Sequence, residues 1–131
     1  SSTLILANDQ SLDTSMDYES TQQLGAPLGS ASVIVIDDSV NIAWLVRKTV
    51  NFFKHESCGK CYPCQLGTQR QYEILQRLSD GTFLPGDKER LLDIGWTMTD
   101  ASICGLGQTA AMAILSAIKL WPSIFEVNPG G

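Results

Sequence analysis

The chain has 131 residues, a net charge of −5, 44% hydrophobic and 18% charged residues. That much apolar material builds a core and excludes wholesale disorder, and an acidic chain without a basic tract is a poor match to nucleic acid. No apolar run reaches the length of a membrane span, since Ile34, Val35 and Ile36 run straight into Asp37 and Asp38. Ser1-Ser2 carries no initiator Met and no signal pattern, so the chain is expected to be an expressed piece or a processed product.

The first forty residues read as strand and loop. Thr3 to Ala7 is a short apolar run, Asn8 to Thr14 is rich in turn formers, and Gly25-Ala26-Pro27-Leu28-Gly29-Ser30 is a break. Ala31 to Ile36 is β-branched and bounded by glycine and aspartate, which predicts a buried strand. Two strands alone are marginal in water, so both are expected to belong to a sheet that continues elsewhere.

After Asp38 the period becomes helical. Ile42, Leu45, Val46, Thr49, Val50 and Phe53 fall at three- and four-residue spacing and predict a helix near 40–54, with Asp38 or Ser39 as its cap. A second is expected near 63–79, opened by Pro63, with Leu66, Ile74, Leu75 and Leu78 on its apolar face. A third, near 87–100, carries Leu91, Leu92, Ile94 and Met98. A fourth, near 107–121, carries Ala111, Ile114, Leu115 and Ile118 and stops around Pro122. The expected fold class is therefore mainly α: a four-helix bundle preceded by a short β segment.

Charge is uneven. Residues 1–45 hold six acids (Asp9, Asp13, Asp17, Glu19, Asp37, Asp38) and no Lys or Arg; then Arg47, Lys48, Lys54 and Lys60 arrive together. These cations run into a cysteine cluster and are expected either to face solvent or to offset local negative charge.

That cluster is the chemical signal. Cys58, Cys61 and Cys64 form C-x2-C-x2-C, and Cys104 follows after 39 further residues. Three cysteines in seven residues suit thiolate ligation in a reducing compartment better than disulfides. Thiolates are soft ligands for iron–sulfur clusters and for zinc. A cubane [4Fe–4S] cluster takes one ligand at each of four irons, and this chain has four cysteines, enough for one. Structural zinc more often uses two separate C-x2-C pairs, and it stays the alternative. Gly59, Gly105 and Gly107 let backbone approach the site, and His55 is expected to be a packing or supporting residue.

The segment His55-Glu56-Ser57-Cys58-Gly59-Lys60-Cys61-Tyr62-Pro63-Cys64, continued by Gly67-Thr68, resembles the cluster motif of the NADH-binding flavoprotein subunit of respiratory complex I. Ser102-Ile103-Cys104-Gly105-Leu106-Gly107-Gln108-Thr109-Ala110 resembles that family's fourth-ligand motif, and its Gly-Leu-Gly-Gln form is similar to the diaphorase subunit of NAD-reducing hydrogenases and related formate dehydrogenases. Met16-Asp17-Tyr18 and the stretch from Leu28-Gly29-Ser30 to Asp37 resemble the end of the family's soluble-ligand-binding β-grasp domain. One position departs from the pattern: Gln65 stands where the family usually has Arg.

The resemblance implies residues 1–38 as the end of a β-grasp domain and 39–131 as a helical [4Fe–4S] domain. It implies Cys58, Cys61, Cys64 and Cys104 as cluster ligands, with the backbone of Gly105 and Leu106 near a flavin. The implied role is relay of single electrons from reduced FMN to the next iron–sulfur cluster, in respiratory complex I or in a soluble hydrogenase or formate dehydrogenase; a structural zinc module without redox role is the alternative. The implied partners are the flavin domain of the parent chain and other iron–sulfur subunits, with no nucleic acid and no membrane insertion. The implied place is the cytoplasm, or the cytoplasmic face of the inner membrane through a larger complex. FMN and NAD(H) belong to the larger parent subunit. Gly105-Leu106-Gly107 does not continue as G-x-G-x-x-G, so the chain alone is not expected to oxidise NADH.

Overall fold

In the computed structural model, which describes residues 2–127, the chain opens with two short helices held by their caps. Asn8 caps α1 (Asp9–Leu12) in a reciprocal capping box with Ser11, and Asp17 caps α2 (Tyr18–Gln23) by accepting the Ser20 amide. Neither was expected from the sequence, because each is too short to carry an apolar period.

No strand forms among the described residues, which corrects the expected β segment. Thr3 to Ala7 forms no regular element, and its first residues lie along a helix. The Leu4 amide donates to Ser116 Oγ at 2.9 Å, and the Leu4 side chain packs on the core. Residues 31–36 form no regular element and are exposed, with Ala31 at φ +60° and Val33, Ile34 and Val35 at 68%, 85% and 88% exposure. A β-branched run becomes a strand only against a neighbour that completes its hydrogen-bond ladder, and the described residues contain none.

Three long helices and two shorter ones then carry the helical core, in place of the four helices expected. Asn41 starts α3 (Ile42–Glu56) by accepting the Trp44 amide at 3.0 Å. The expected caps lie upstream, where the Asp37 carboxylate is taken up in a turn with the Ser39 amide and hydroxyl. α4 (Tyr62–Ser79) buries Cys64, Gly67, Thr68, Gln71, Ile74 and Leu75, one continuous stripe at three- and four-residue steps. Leu66 falls off that stripe and is exposed, contrary to expectation. The helix closes in a Schellman motif: Gly81 takes φ +73°, and the Thr82 and Gly81 amides donate to the Arg77 and Leu78 carbonyls.

α5 (Asp87–Ala101) buries Asp87, Leu91, Gly95 and Met98 and leaves Leu92 exposed. The expected fourth helix is broken into α6 (Gly105–Thr109) and α7 (Met112–Leu120), followed by a 3-10 turn at Pro122–Phe125. At the break the Thr109 hydroxyl donates to the Gly105 carbonyl at 2.7 Å, a back-bond that bends helices.

The core divides by depth along the bundle. Val46, Val50, Ile74, Leu75, Leu91, Ile114, Ile118 and Phe125 form the main cluster. Phe53, Met98 and Ala110 form a smaller one, from the carboxyl ends of α3, α5 and α6. A fully buried Leu, Ile or Phe contributes about 1.5–3 kcal/mol by leaving water, so the main cluster carries most of the fold's cohesion. The smaller cluster marks one end of the bundle, where α3 passes into α4 and α5 into α6. Both cysteine-bearing junctions lie there. No helix among the described residues is long and apolar enough to cross a membrane.

Candidate metal centre

Each junction presents its cysteines at a helix start. Cys61 is the N-cap residue of α4 and Cys104 of α6, and neither side chain is used as a cap. Cys58 sits in the loop before α4, beside Gly59 at φ +74°, a left-handed conformation that glycine takes freely. Cys64 lies in the first turn of α4 and is buried, at 5% exposure, whereas Cys58 and Cys104 are exposed and Cys61 is half-buried. All four are free thiols.

The electrostatics of Cys64 tie the four together. Burial pushes its thiol above the ordinary range, a hydrogen bond with Ser57 opposes this, and Cys61, Cys104 and Cys58 each push it further up as like charges. Cys104, from the far junction, is therefore an electrostatic neighbour of Cys64. Without a cation such a group favours its neutral thiol. A coordinated metal inverts that balance and deprotonates the thiol outright.

Two close contacts fix the junctions to each other. A β-carbon added at Gly107 would meet Cys64 Cβ at 2.9 Å and Ser102 Cβ at 2.5 Å, with Ser102 Oγ nearer still. Gly107 is thus where α6 lies on α4, a packing role rather than the turn or cap its residue type suggests. Gly67 performs the same service between α4 and α5, against the Met98 thioether. Gly105 faces open space, with nothing within 4 Å of where a β-carbon would stand.

Two serines complete the site, and the sequence reading missed both. Ser57 Oγ lies 3.2 Å from Cys64 Sγ. Ser102 Oγ is buried with no hydrogen-bond partner. Their only sequence signal is position, one residue before Cys58 and two before Cys104; burial at those positions has no local signature.

The neighbouring charges are mostly engaged elsewhere. Lys48 sits over the Trp44 ring and Lys54 over the Tyr72 ring, at 5.7 and 4.5 Å from the centroids. Lys60 remains as the cation on the cysteine loop itself. His55 is exposed in the last turn of α3, where a basic residue suits the helix C-terminus.

The donor set therefore fits a polynuclear iron–sulfur group: four thiols from two junctions, one of them dry, with an unpartnered buried hydroxyl beside it. No three His, Cys, Asp or Glu among the described residues are grouped to hold a single metal ion. A cubane spreads its ligands over four irons, one thiolate at each.

A family model for the NADH-ubiquinone oxidoreductase-F iron-sulfur binding region matches residues 44–128, which include all four cysteines. The chain belongs to that family. Among relatives of this iron–sulfur binding region, the NADH-quinone oxidoreductase F subunit of Mycobacterium bovis is 40% identical over 114 residues, 87% of this chain and 26% of the relative. The NADP-reducing hydrogenase subunit HndC of Solidesulfovibrio fructosivorans is 35% identical over 123 residues, 94% of this chain and 25% of the relative. Among solved structures, an NAD+-reducing [NiFe]-hydrogenase in the H2-reduced state superposes with a TM-score of 0.86 at 29% identity, covering 98% of this chain and 22% of that one. The chain thus spans about a quarter of the length of the curated relatives it matches.

Proposed function

We propose that this chain is the iron–sulfur module of the flavoprotein subunit of an NADH:quinone oxidoreductase, with one [4Fe–4S] cluster on Cys58, Cys61, Cys64 and Cys104. When bound, the cluster supplies one-electron chemistry, accepting single electrons from reduced FMN in the parent subunit and passing them to the next iron–sulfur cluster. The observation that carries the reading is geometric: α6, which follows Cys104, lies on α4 at Cys64, where a β-carbon on Gly107 would stand 2.9 Å from Cys64 Cβ, so the two cysteine-bearing junctions meet.

The chain's own residues divide the work. The four thiolates hold the group, and the burial of Cys64 keeps one side of it dry. Lys60 offsets negative charge from the loop. Gly105 and Leu106 follow the exposed Cys104, and the open space at Gly105 leaves room for the flavin to approach the backbone. Residues 1–38 are the end of a β-grasp domain in this reading, and 39–131 the cluster domain. FMN and NAD(H) bind in the remainder of the parent. Iron–sulfur subunits of the complex are the partners, on the cytoplasmic side of the inner membrane.

A second reading places the same module in the diaphorase subunit of a soluble hydrogenase. It is favoured by the alignment to HndC, which reaches over 94% of the chain, and by the hydrogenase superposition. Both readings require the cluster. Iron and acid-labile sulfide analysis of anaerobically prepared protein, with visible absorption and an EPR spectrum after reduction, tests them. About four irons and four sulfides per chain are expected. A colourless, zinc-loaded protein would refute both.

A further inference from the structure

Ser57 is the C-cap residue of α3, and its amide donates to the Phe53 carbonyl at 3.0 Å, which fixes the side chain at the rim of the cysteine loop. The Ser57 hydroxyl is bracketed. The Gly59 amide donates to its oxygen at 3.5 Å, and Cys64 Sγ lies 3.2 Å away on another side. With neutral groups either atom of the Ser57–Cys64 pair can donate. A ligating thiolate has no proton, so in a loaded site only the hydroxyl can donate.

Ser102 approaches from the opposite junction. Its residue is 6% exposed, and its hydroxyl finds no partner within the protein. It borders the same small volume as Cys64, the one that a β-carbon on Gly107 would fill. A buried hydroxyl without a partner is unfavourable and calls for an acceptor. Across that volume stands the side chain of Cys64, so a group bound there through sulfur would supply the acceptor.

Resting on the cluster reading above, we propose that Ser57 and Ser102 set the reduction potential of the site. Ser57 donates to the Cys64 thiolate, Ser102 supplies a second hydroxyl donor from the other junction, and together they hold the potential above that of a site lacking them. Reduction adds one negative charge to the thiolate-bound group. A donor on sulfur stabilises the more negative state more, so the donor raises the potential. Both serines act through sulfur and are positioning residues, not ligands.

The test uses the full chain, reconstituted anaerobically with ferrous iron and sulfide, in the parent and in Ser57→Ala, Ser57→Thr and Ser102→Ala. Iron and sulfide content are measured first, and each midpoint potential is then taken by EPR-monitored redox titration. Ser57→Ala is expected to lower the reduced-to-oxidised ratio about tenfold at fixed ambient potential, a shift of about 59 mV for a one-electron couple. Ser57→Thr, which keeps the hydroxyl, is expected to restore the parent value, and Ser102→Ala to shift the potential in the same direction as Ser57→Ala. A parent that takes up no cluster ends the function reading and this proposal together. A parent that holds its cluster while Ser57→Ala and Ser102→Ala keep its potential overturns this proposal alone. Should Ser57→Ala shed its cluster, pulsed EPR of the reduced parent and of Ser57→Thr after brief transfer to D2O decides. A deuteron coupled to the cluster supports the hydroxyl donor, and its absence in both overturns it.

Discussion

Gly107 lies so close to Cys64 that a β-carbon on the glycine would stand 2.9 Å from the cysteine's own. The contact joins the helix that follows Cys104 to the helix whose first turn carries Cys64. The second obstruction there, Ser102, is a short side chain that cannot swing clear as a long one could. Gly107→Ala is therefore expected to destabilise the fold by about 1–3 kcal/mol, the usual penalty of overpacking, and to lower iron retention. Gly105→Ala is the control. Its site is open, and alanine favours helix over glycine, so thermal unfolding should be unchanged or slightly raised. Equal losses in the two variants would show that crowding at Gly107 is not the cause.

Asp87 anchors the other end of α4 and α5. Its side chain is fully buried and accepts from Arg77 Nε and Nη2 at 3.0 and 2.7 Å, from Arg90 Nη1 at 2.8 Å and from the Leu84 amide at 3.0 Å. Burial alone raises its pKa, but the Arg77, Leu84 and Arg90 hydrogen bonds outweigh that and hold the carboxyl below its ordinary range. Asp87→Ala is expected to cost about 2–4 kcal/mol, less than for a fully enclosed pair because both arginines reach solvent. The native value lies below the unfolded one. As pH falls the unfolded chain therefore takes up the proton first, and the contribution, complete above about pH 5, fades through pH 4 and below. Urea unfolding of parent and variant across pH 3–7 checks both points: the gap between the two curves should close on the acid side.

Gln71 lies on the buried stripe of α4 with Cys64 and Thr68, is wholly buried, and neither amide atom has a partner in the protein. Leaving buried amide groups unpaired is costly, and a flexible apolar side chain of similar length removes that cost. Gln71→Met is expected to raise the melting temperature of the metal-free chain by a few degrees, about 1 kcal/mol on a domain of this size. A lower melting temperature would mean that the amide is paired with internal water.

The helical half was legible in the sequence because its burial follows helical spacing. Val46, Val50 and Phe53 on α3 and Ile74 and Leu75 on α4 stand where the period put them. The ligand candidates were legible for a different reason, since four cysteines in this spacing have few other uses. What was hidden depended on residues distant in sequence or on competition at short range. Ala31 to Ile36 has the composition of a strand, but the strand needs a partner that the described residues do not supply. The break after Thr109 leaves no mark in the apolar pattern, which runs on through Ala111, Ile114, Leu115 and Ile118. Asn41 became the cap of α3 because Asp37 and Ser39 bond to each other first. Ser57 and Ser102 carry no period at all, and only the fold places them at Cys64.

The 131-residue chain is expected to bind neither FMN nor NADH with useful affinity. Among the described residues no glycine-rich turn leads from a strand into a helix in the way that cradles a pyrophosphate. Quenching of flavin fluorescence and calorimetric titration with NADH check this. Tight stoichiometric binding of either would place part of the nucleotide site within these residues.

Cys104→Ala tests the tie between the two junctions. Cys58, Cys61 and Cys64 come from one loop and its helix, so a group held by those three alone crosslinks little of the chain. Cys104 stands at the start of α6, beyond the whole of α5, and its ligation would fasten α6 to α4 through the bound group. Metal binding is then folding free energy, and loss of this ligand should remove more than its share. It also leaves one iron without a protein thiolate on the exposed side of the site, where Cys104 now lies. In anaerobically reconstituted protein, the variant is expected to hold less iron than the parent and to lose most of the rise in melting temperature that loading gives. Without metal, the two chains should melt within about a degree of each other, because an exposed cysteine contributes little to packing. Equal iron content and an equal melting rise on loading would show that Cys104 is not a ligand.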